Sequence, residues 1–383
     1  MTELTSRERL MRIFRGEEID RPAFKLWGAA PEVGWQLHEA YLPVSQRAAE
    51  VTDLFGGVGG YGLNLVFGIN DRTGVESVKE ETGDPLWDNL RTVIHTPKGD
   101  LEMVRRESRR GDPGYDMEHF IKEEEDVEKL LSIPYTAPTD LQRRHHDEAV
   151  SAVGDRGVAM IDLPHAAYQV QCMTGSETLA YLSVDARDLV DEMCAVYAKR
   201  LYDHVERILE TGVEHPIFSW VGPELFLPPL MGPQDFDDFV FKYDKPLCDL
   251  IHEHGGYVWV HCHGKVRHFM ERFIEMGVDV LNPLEPAKTG DIEMEETALT
   301  FRNRIGLEGN IEIKEILLSS QERLAELIDE CVEAGWKSGR FILCPSAGYM
   351  EYARPTERYI DNLMFYLQYG YEAVEKCRKE GRI

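Results

Sequence analysis

Apolar residues recur along this chain in short bursts. From Gly157 onward the runs GVAMIDL, PIFSW, YVWVHCH, VDVLNPL, RIGLEGN and RFILCPS alternate with longer segments of helical period. Continuous apolar runs separated by amphipathic segments are the pattern of parallel strands buried on both faces and joined by crossover helices. The spacing predicts helices over 177–212, 234–254, 265–277, 294–303, 321–336 and 356–380. Upstream, Thr5-Ser6-Arg7-Glu8 has capping-box spacing, and Leu10, Ile13 and Phe14 share a helical face before Gly16, which predicts a short opening helix. Pro22 to Trp27 then reads as a first strand and YGLNLVFG, from Tyr61, as a second. Eight β segments predict an α/β chain of the (β/α)8 (TIM) barrel type. A doubly wound open sheet is the weaker alternative, because no glycine-rich phosphate fingerprint follows an early strand.

One stretch breaks the rhythm. DPLWDNLRTVIHTPKGDLEMVRRES predicts a β-hairpin turning within Thr96 to Asp100, and the chain from HFIKEEEDVEKLLSIPY to about Val150 is charged and helical. The expectation is one barrel domain over 1–383, with an N-terminal helical extension and an insertion at about 85–150. The acidic run Glu123 to Asp126 reads as a solvated helix start.

Charge narrows the partners. With 42 basic against 69 acidic residues the net charge is −27, a field that repels phosphate backbones and anionic membranes, so neither nucleic acid nor membrane is an expected partner. No run approaches the roughly 18 apolar residues of a membrane span, and the N-terminus lacks a signal-like apolar stretch. Seven scattered cysteines suit a reducing compartment, so the expected location is the cytoplasm.

In a barrel of this kind the chemistry sits at the carboxyl ends of the strands. The reactive residues there are Asp162 and His165, Glu224, His261 and His263, Glu285, Glu308 and Asn310, and Cys344. Side chains alternate faces along a strand, so His261 and His263 point one way and Cys262 the other. Two imidazoles on one face suit a zinc ion, with Glu224 or Cys344 as further ligands and one position left open for substrate. Glu224, His261 and His263 are the catalytic candidates. Trp27, His165, Trp220, Glu285, Asn310 and Tyr349 are candidates for binding substrate, although each also suits a purely structural place.

The stretches SRERLMRIFRGEEIDRPAF, HCHGKV, GLEGNI and FILCPSAGYMEYARPTERYIDNL, taken in order, resemble the uroporphyrinogen decarboxylase superfamily over nearly the whole chain. The resemblance implies a (β/α)8 barrel. Its decarboxylases carry an R-Q-A-G-R segment after the first strand that holds a tetrapyrrole polycarboxylate. Here KLWGAAPEVGWQ, Lys25 to Gln36, has no arginine, which disfavours that chemistry. The other branch, zinc-containing corrinoid-dependent methyltransferases, has H-x-C-G on one strand and a cysteine after the last. His261 and Gly264 match, His263 stands in place of the cysteine, and Cys344 lies about two positions ahead of the expected place near Ser346 or Ala347, which makes Glu224 the more attractive ligand. The resemblance therefore implies a zinc-dependent methyltransferase that moves a methyl group between a small methylated substrate, such as a methyl ether, and cobalt. Demethylation of the substrate is the favoured direction. No D-x-H-x-x-G segment is present, so the corrinoid is expected on a partner protein. The alternatives are a uroporphyrinogen-type decarboxylase and a non-catalytic small-molecule-binding barrel.

Overall fold

A computed structural model of the protein describes residues 3–27, 38–61, 74–348 and 354–380. Its core is an eight-stranded parallel sheet built from β1 (Ala23–Phe24), β2 (Leu54–Gly57) and the later strands β7 (Gly157–Asp162), β8 (Ile217–Val221), β9 (Tyr257–His261), β10 (Val280–Asn282), β11 (Gly306–Ile311) and β12 (Phe341–Pro345). The strand order is β1-β12-β11-β10-β9-β8-β7-β2. The two outermost strands meet where Asp53 N donates to Phe24 O at 2.7 Å, which brings the sheet round on itself as a TIM-type barrel.

Seven of the eight strands coincide with the apolar runs predicted for them, β8 and β11 each running one residue past the end. The second does not. Tyr61 is fully buried, and the rest of its predicted strand lies outside the described residues. The barrel strand is instead Leu54–Gly57, LFGG, four residues with two glycines and little apolar signal. Gly56 has a steric reason: a Cβ there would lie 2.6 Å from the side chain of Val153.

The predicted hairpin is present as β4 (Trp87–Thr96) and β5 (Gly99–Ser108), paired through Thr96 and Gly99. It is the middle of a four-stranded antiparallel sheet completed by β3 (Val75–Glu81) and β6 (Tyr115–Glu118). The segment predicted as one helix over 177–212 is two, Ala166–Asp185 and Arg187–Glu210, broken at Ala186.

The opening helix, Ser6–Arg15, is capped by Thr5, whose side chain accepts from Glu8 N. Its Leu10, Ile13 and Phe14 pack with Ala23, Val158, Ile217, Val280 and Ile342 from the lower barrel interior, so the helix plugs the N-terminal end. Arg340 clamps it there, donating to Ile13 O at 2.7 Å and Phe14 O at 3.2 Å. Arg9 on the same helix reaches Asp20 and Asp53, each at 2.7 Å, and Arg21 reaches Asp53 at 3.0 Å, all buried. Among the described residues no helix is long and apolar enough to cross a membrane.

Candidate active site at the carboxyl ends of the strands

Strand alternation decides which groups face the barrel interior. On β9 Val258, Val260 and Cys262 pack outward with the helix-side core, whereas Trp259 belongs to the interior cluster and His261 follows it on that face. The thiol of Cys262 is fully buried and raised well above its usual range by that burial.

A buried polar ladder climbs the interior to His261. Lys25, just after β1, places Nζ 2.7 Å from Glu308 Oε1, and Trp259 Nε1 donates to Glu308 Oε2 at 2.8 Å. Asn282 Nδ2 donates to Glu308 Oε1 at 2.9 Å, and Asn282 Oδ1 lies 2.6 Å from His261 Nδ1. The ladder has one consistent proton arrangement. A carboxylate only accepts, so the amide nitrogen of Asn282 faces Glu308 and its oxygen faces His261. His261 must then carry its proton on Nδ1, leaving Nε2 as a bare lone pair. Burial, helped by the nearby charge of His263, lowers the His261 pKa to about 3, so the ring is neutral at ordinary pH.

His263 is arranged in the same sense. Its Nδ1 lies 3.0 Å from Glu285 Oε1, and Glu285 Oε2 accepts from Gly264 N at 2.8 Å. Gly264 adopts a φ of 88°, the left-handed turn that aims its N–H back at that carboxylate. Burial would raise the Glu285 carboxyl, but the bonds from His263 and Gly264 outweigh it and hold it below its usual range. Burial would lower His263, and Glu285 outweighs it and raises the imidazole. The two rings meet edge to face with centroids 4.4 Å apart. Histidines that bind metal characteristically fix the second ring nitrogen on a carboxylate or carbonyl. Both of these do.

Glu224 sits in the short turn Pro223–Phe226 after β8. The chain enters that turn through Gly222, with a φ of 112°, where a Cβ would fall 2.2 Å from the ring of Tyr168. Burial raises the Glu224 carboxyl, opposed by the charges of His263 and His165 among others, and its buried Oε2 has no hydrogen-bond partner. His165 is itself fully buried at the start of the helix Ala166–Asp185, 3.2 Å from Asp244.

Among the described residues no three His, Cys, Asp or Glu side chains stand close enough to form a ready-made metal site. The two histidines are adjacent, with Glu224 in electrostatic reach. Cys344 is fully buried, its thiol raised by burial and by Glu308, and it lies beside the Lys25–Glu308 pair. Asn310 is half-buried on β11, its N–H donating to Cys331 Sγ at 3.2 Å. Tyr349 lies outside the described residues.

Next to His261, on the far side of Trp27 and Trp259, opens a cavity of about 390 Å³ walled by Trp27, Phe55, Trp220 and Trp259, with Lys25 and Asp162 among its polar groups. Trp27 ties the cavity to the pair: its ring stands edge-on to His261 at 5.1 Å, and its Nε1 donates to Pro345 O at 3.0 Å. Phe55 and Lys25 were not legible as pocket residues in the sequence. Phe55 lies in the glycine-rich strand, and Lys25 has the look of an ordinary strand-edge cation.

Parallel barrel topology, with buried polar groups gathered at the carboxyl ends of the strands, defines the class of a TIM-barrel protein. The family model of uroporphyrinogen decarboxylase (URO-D) matches residues 158–357, just over half of the chain, and the chain belongs to that family. It is 26% identical over 147 residues to a uroporphyrinogen decarboxylase of Prochlorococcus marinus, a match over 37% of this chain and 38% of that protein. In fold it is similar to a methyltransferase from Methanosarcina mazei, with a TM-score of 0.56 and 14% identity, over 96% of this chain and 100% of the other.

Proposed function

We propose that this protein is a methyltransferase that removes a methyl group from a small methylated compound, such as a methyl ether, and delivers it to the cobalt of a corrinoid carried by a separate protein. The observation that carries the reading is the matched pair of imidazoles, each with Nδ1 held by a buried acceptor and Nε2 making no hydrogen bond among the described residues. Two imidazoles so held suit zinc, and Glu224, whose buried Oε2 is unpartnered but which does not stand in a ready-made cluster with them, would become the third ligand after a side-chain movement. When bound, zinc acts as a Lewis acid that stabilises negative charge on a departing oxygen.

The chain's own residues do the rest. Asn282 and Glu285 fix the tautomers and ring planes of the two ligands. Trp27 and Trp259 hold the His261 ring between them, at 5.1 and 6.0 Å, and form a wall against which an apolar substrate packs.

The deciding experiment measures metal per chain in the wild type and in His261→Ala, His263→Ala and Cys262→Ala. The expected result is about one zinc in the wild type and in Cys262→Ala, and loss in both histidine variants. Undiminished metal in both histidine variants overturns the assignment.

Family membership favours a second reading, decarboxylation of a tetrapyrrole polycarboxylate. Against it, the cation nearest the end of β1 is Lys25, already paired with Glu308, and no arginine follows it up to Gln36. Uroporphyrinogen offered to the protein is expected to remain intact; formation of coproporphyrinogen at a catalytic rate reverses the order of the two readings.

A further inference from the structure

The cavity holds a carboxyl group that the metal chemistry does not use. Asp162 ends β7, in register with Ser219 on β8, whose own partner on β9 is Trp259. The three therefore form one level of the barrel, immediately below His261. Asp162 Oδ1 accepts the hydroxyl of Ser219. Among the described residues no hydrogen bond is made to Oδ2, which lies beside Gly57, a residue of the cavity wall. The carboxyl group is thus anchored on one oxygen and accessible from the cavity on the other.

The remaining polar groups of the cavity are committed except the buried indole N–H of Trp220, which makes no hydrogen bond among the described residues and is a donor too weak in acidity to supply a proton. Lys25 Nζ is bound to Glu308 and lies 4.6, 4.1 and 4.6 Å from the ring centroids of Trp27, Phe55 and Trp259. Aromatic faces grouped in this way would ordinarily take a quaternary ammonium ligand. Here the protein's own ammonium stands on them, so a methylammonium substrate meets a positive charge where its own charge would sit. A neutral oxygen compound meets no such opposition. Trp27 and Trp259 spend their N–H groups on Pro345 O and Glu308. Asp162 is left as the acid able to reach a substrate oxygen.

We propose that Asp162 is the proton donor to the oxygen that departs when a neutral methyl ether, seated in this aromatic cavity, loses its methyl group. The step rests on the methyltransferase reading above. A low-valent cobalt nucleophile of the corrinoid partner takes the methyl carbon, the C–O bond breaks, and its electron pair stays on oxygen. That oxygen takes the proton from Asp162, the product leaves as a phenol or alcohol, and solvent reprotonates the carboxylate through the cavity mouth. Asp162 is exposed as a whole at the end of β7, yet the barrel wall around its carboxyl raises it above the ordinary aspartate value, opposed by the Ser219 bond and the Lys25 charge.

Two measurements test the assignment, with Asp162→Asn as the variant and Ser219→Ala as a control that keeps the carboxyl. The first is methyl transfer from a series of aryl methyl ethers. Against poorly acidic phenols the variant should lose roughly 10²–10⁴-fold in rate, and against a nitro-substituted ether, whose phenolate leaves unaided, less than about tenfold. The second needs no turnover: 4-nitrophenol is bound to the metal-free proteins and its phenolate colour titrated with pH. In the wild type the carboxylate keeps the ligand neutral, and in Asp162→Asn, with Lys25 nearby, the bound ligand should ionise at lower pH. An equal rate loss across the ether series, or an unshifted nitrophenol titration, overturns the Asp162 assignment while leaving the methyltransferase reading in place. A wild type that moves no methyl group from any ether overturns both.

Discussion

Glu308→Leu is expected to lower stability by about 3–5 kcal/mol and to loosen the proposed metal site at the same time. Glu308 is fully buried and accepts from three donors, Lys25, Trp259 and Asn282. Removing it strands a buried ammonium, the costliest part of the change. The indole N–H and the amide nitrogen are also left unpaired, at about 1–3 kcal/mol each. The double variant Lys25→Met/Glu308→Leu should therefore recover the share due to the lysine and not the share due to the two N–H groups. Urea unfolding midpoints at constant slope measure both differences. The functional effect follows from the ladder: with Glu308 gone nothing dictates which way the Asn282 amide points, and the tautomer of His261 is no longer fixed. Metal affinity should fall by roughly 10–100-fold, the usual effect of losing a group that orients a ligand. Zinc affinity unchanged in a folded Glu308→Leu protein shows that the ladder serves stability alone.

Asp53→Asn should be nearly as damaging, by about 3–5 kcal/mol, through a network far from the chemistry. Asp53 is 1% exposed, accepts from Arg9, Arg21 and the Phe24 N–H, and sits where β1 and β2 join. Burial alone would raise its carboxyl. Arg21 and Arg9 outweigh it and hold it below the usual value of 3.8, and Asp20, bonded to Arg9, is likewise held low against its own burial. The sign follows: the stability these groups supply is fully present above the unfolded-state value near 3.8 and is lost as pH falls through the lower folded values. Below about pH 4 the stability of Asp53→Asn should fall less steeply with acid than that of the wild type. Parallel acid-unfolding curves for the two proteins count against the network as the source of acid sensitivity.

Both predictions concern pairs that no local pattern reveals. Lys25 and Glu308 are 283 positions apart, and Arg9 and Asp53 are 44 apart. What was legible were features repeated along one element. The period-two alternation of β9 separates His261 from Cys262, and the capping box of Thr5 to Glu8 marks a real helix start. The hairpin was legible from Thr96 to Asp100 because turn chemistry is local, whereas its two flanking strands, charged and exposed, carry no apolar alternation. β2 was missed for the opposite reason: it is held by its neighbours and has too few side chains of its own to announce it. At the site, the sequence named Glu285 as a substrate-binding candidate, whereas in the structure it is bonded to His263, a contact across 22 positions. It named Asp162 as one of several strand-end groups, and only the cavity separates it from the rest.

The plug formed by Leu10, Ile13 and Phe14 has a kinetic consequence. With the lower end of the barrel filled by the helix, the cavity beneath His261 is not reached from that side, and under the methyltransferase reading a carrier protein that docks at the carboxyl ends of the strands would cover it. Under that reading the reactant would enter before the carrier docks, and the demethylated product would leave after the carrier departs. Turnover should then follow a compulsory order, in which a high concentration of the carrier slows the reaction by trapping the product behind it.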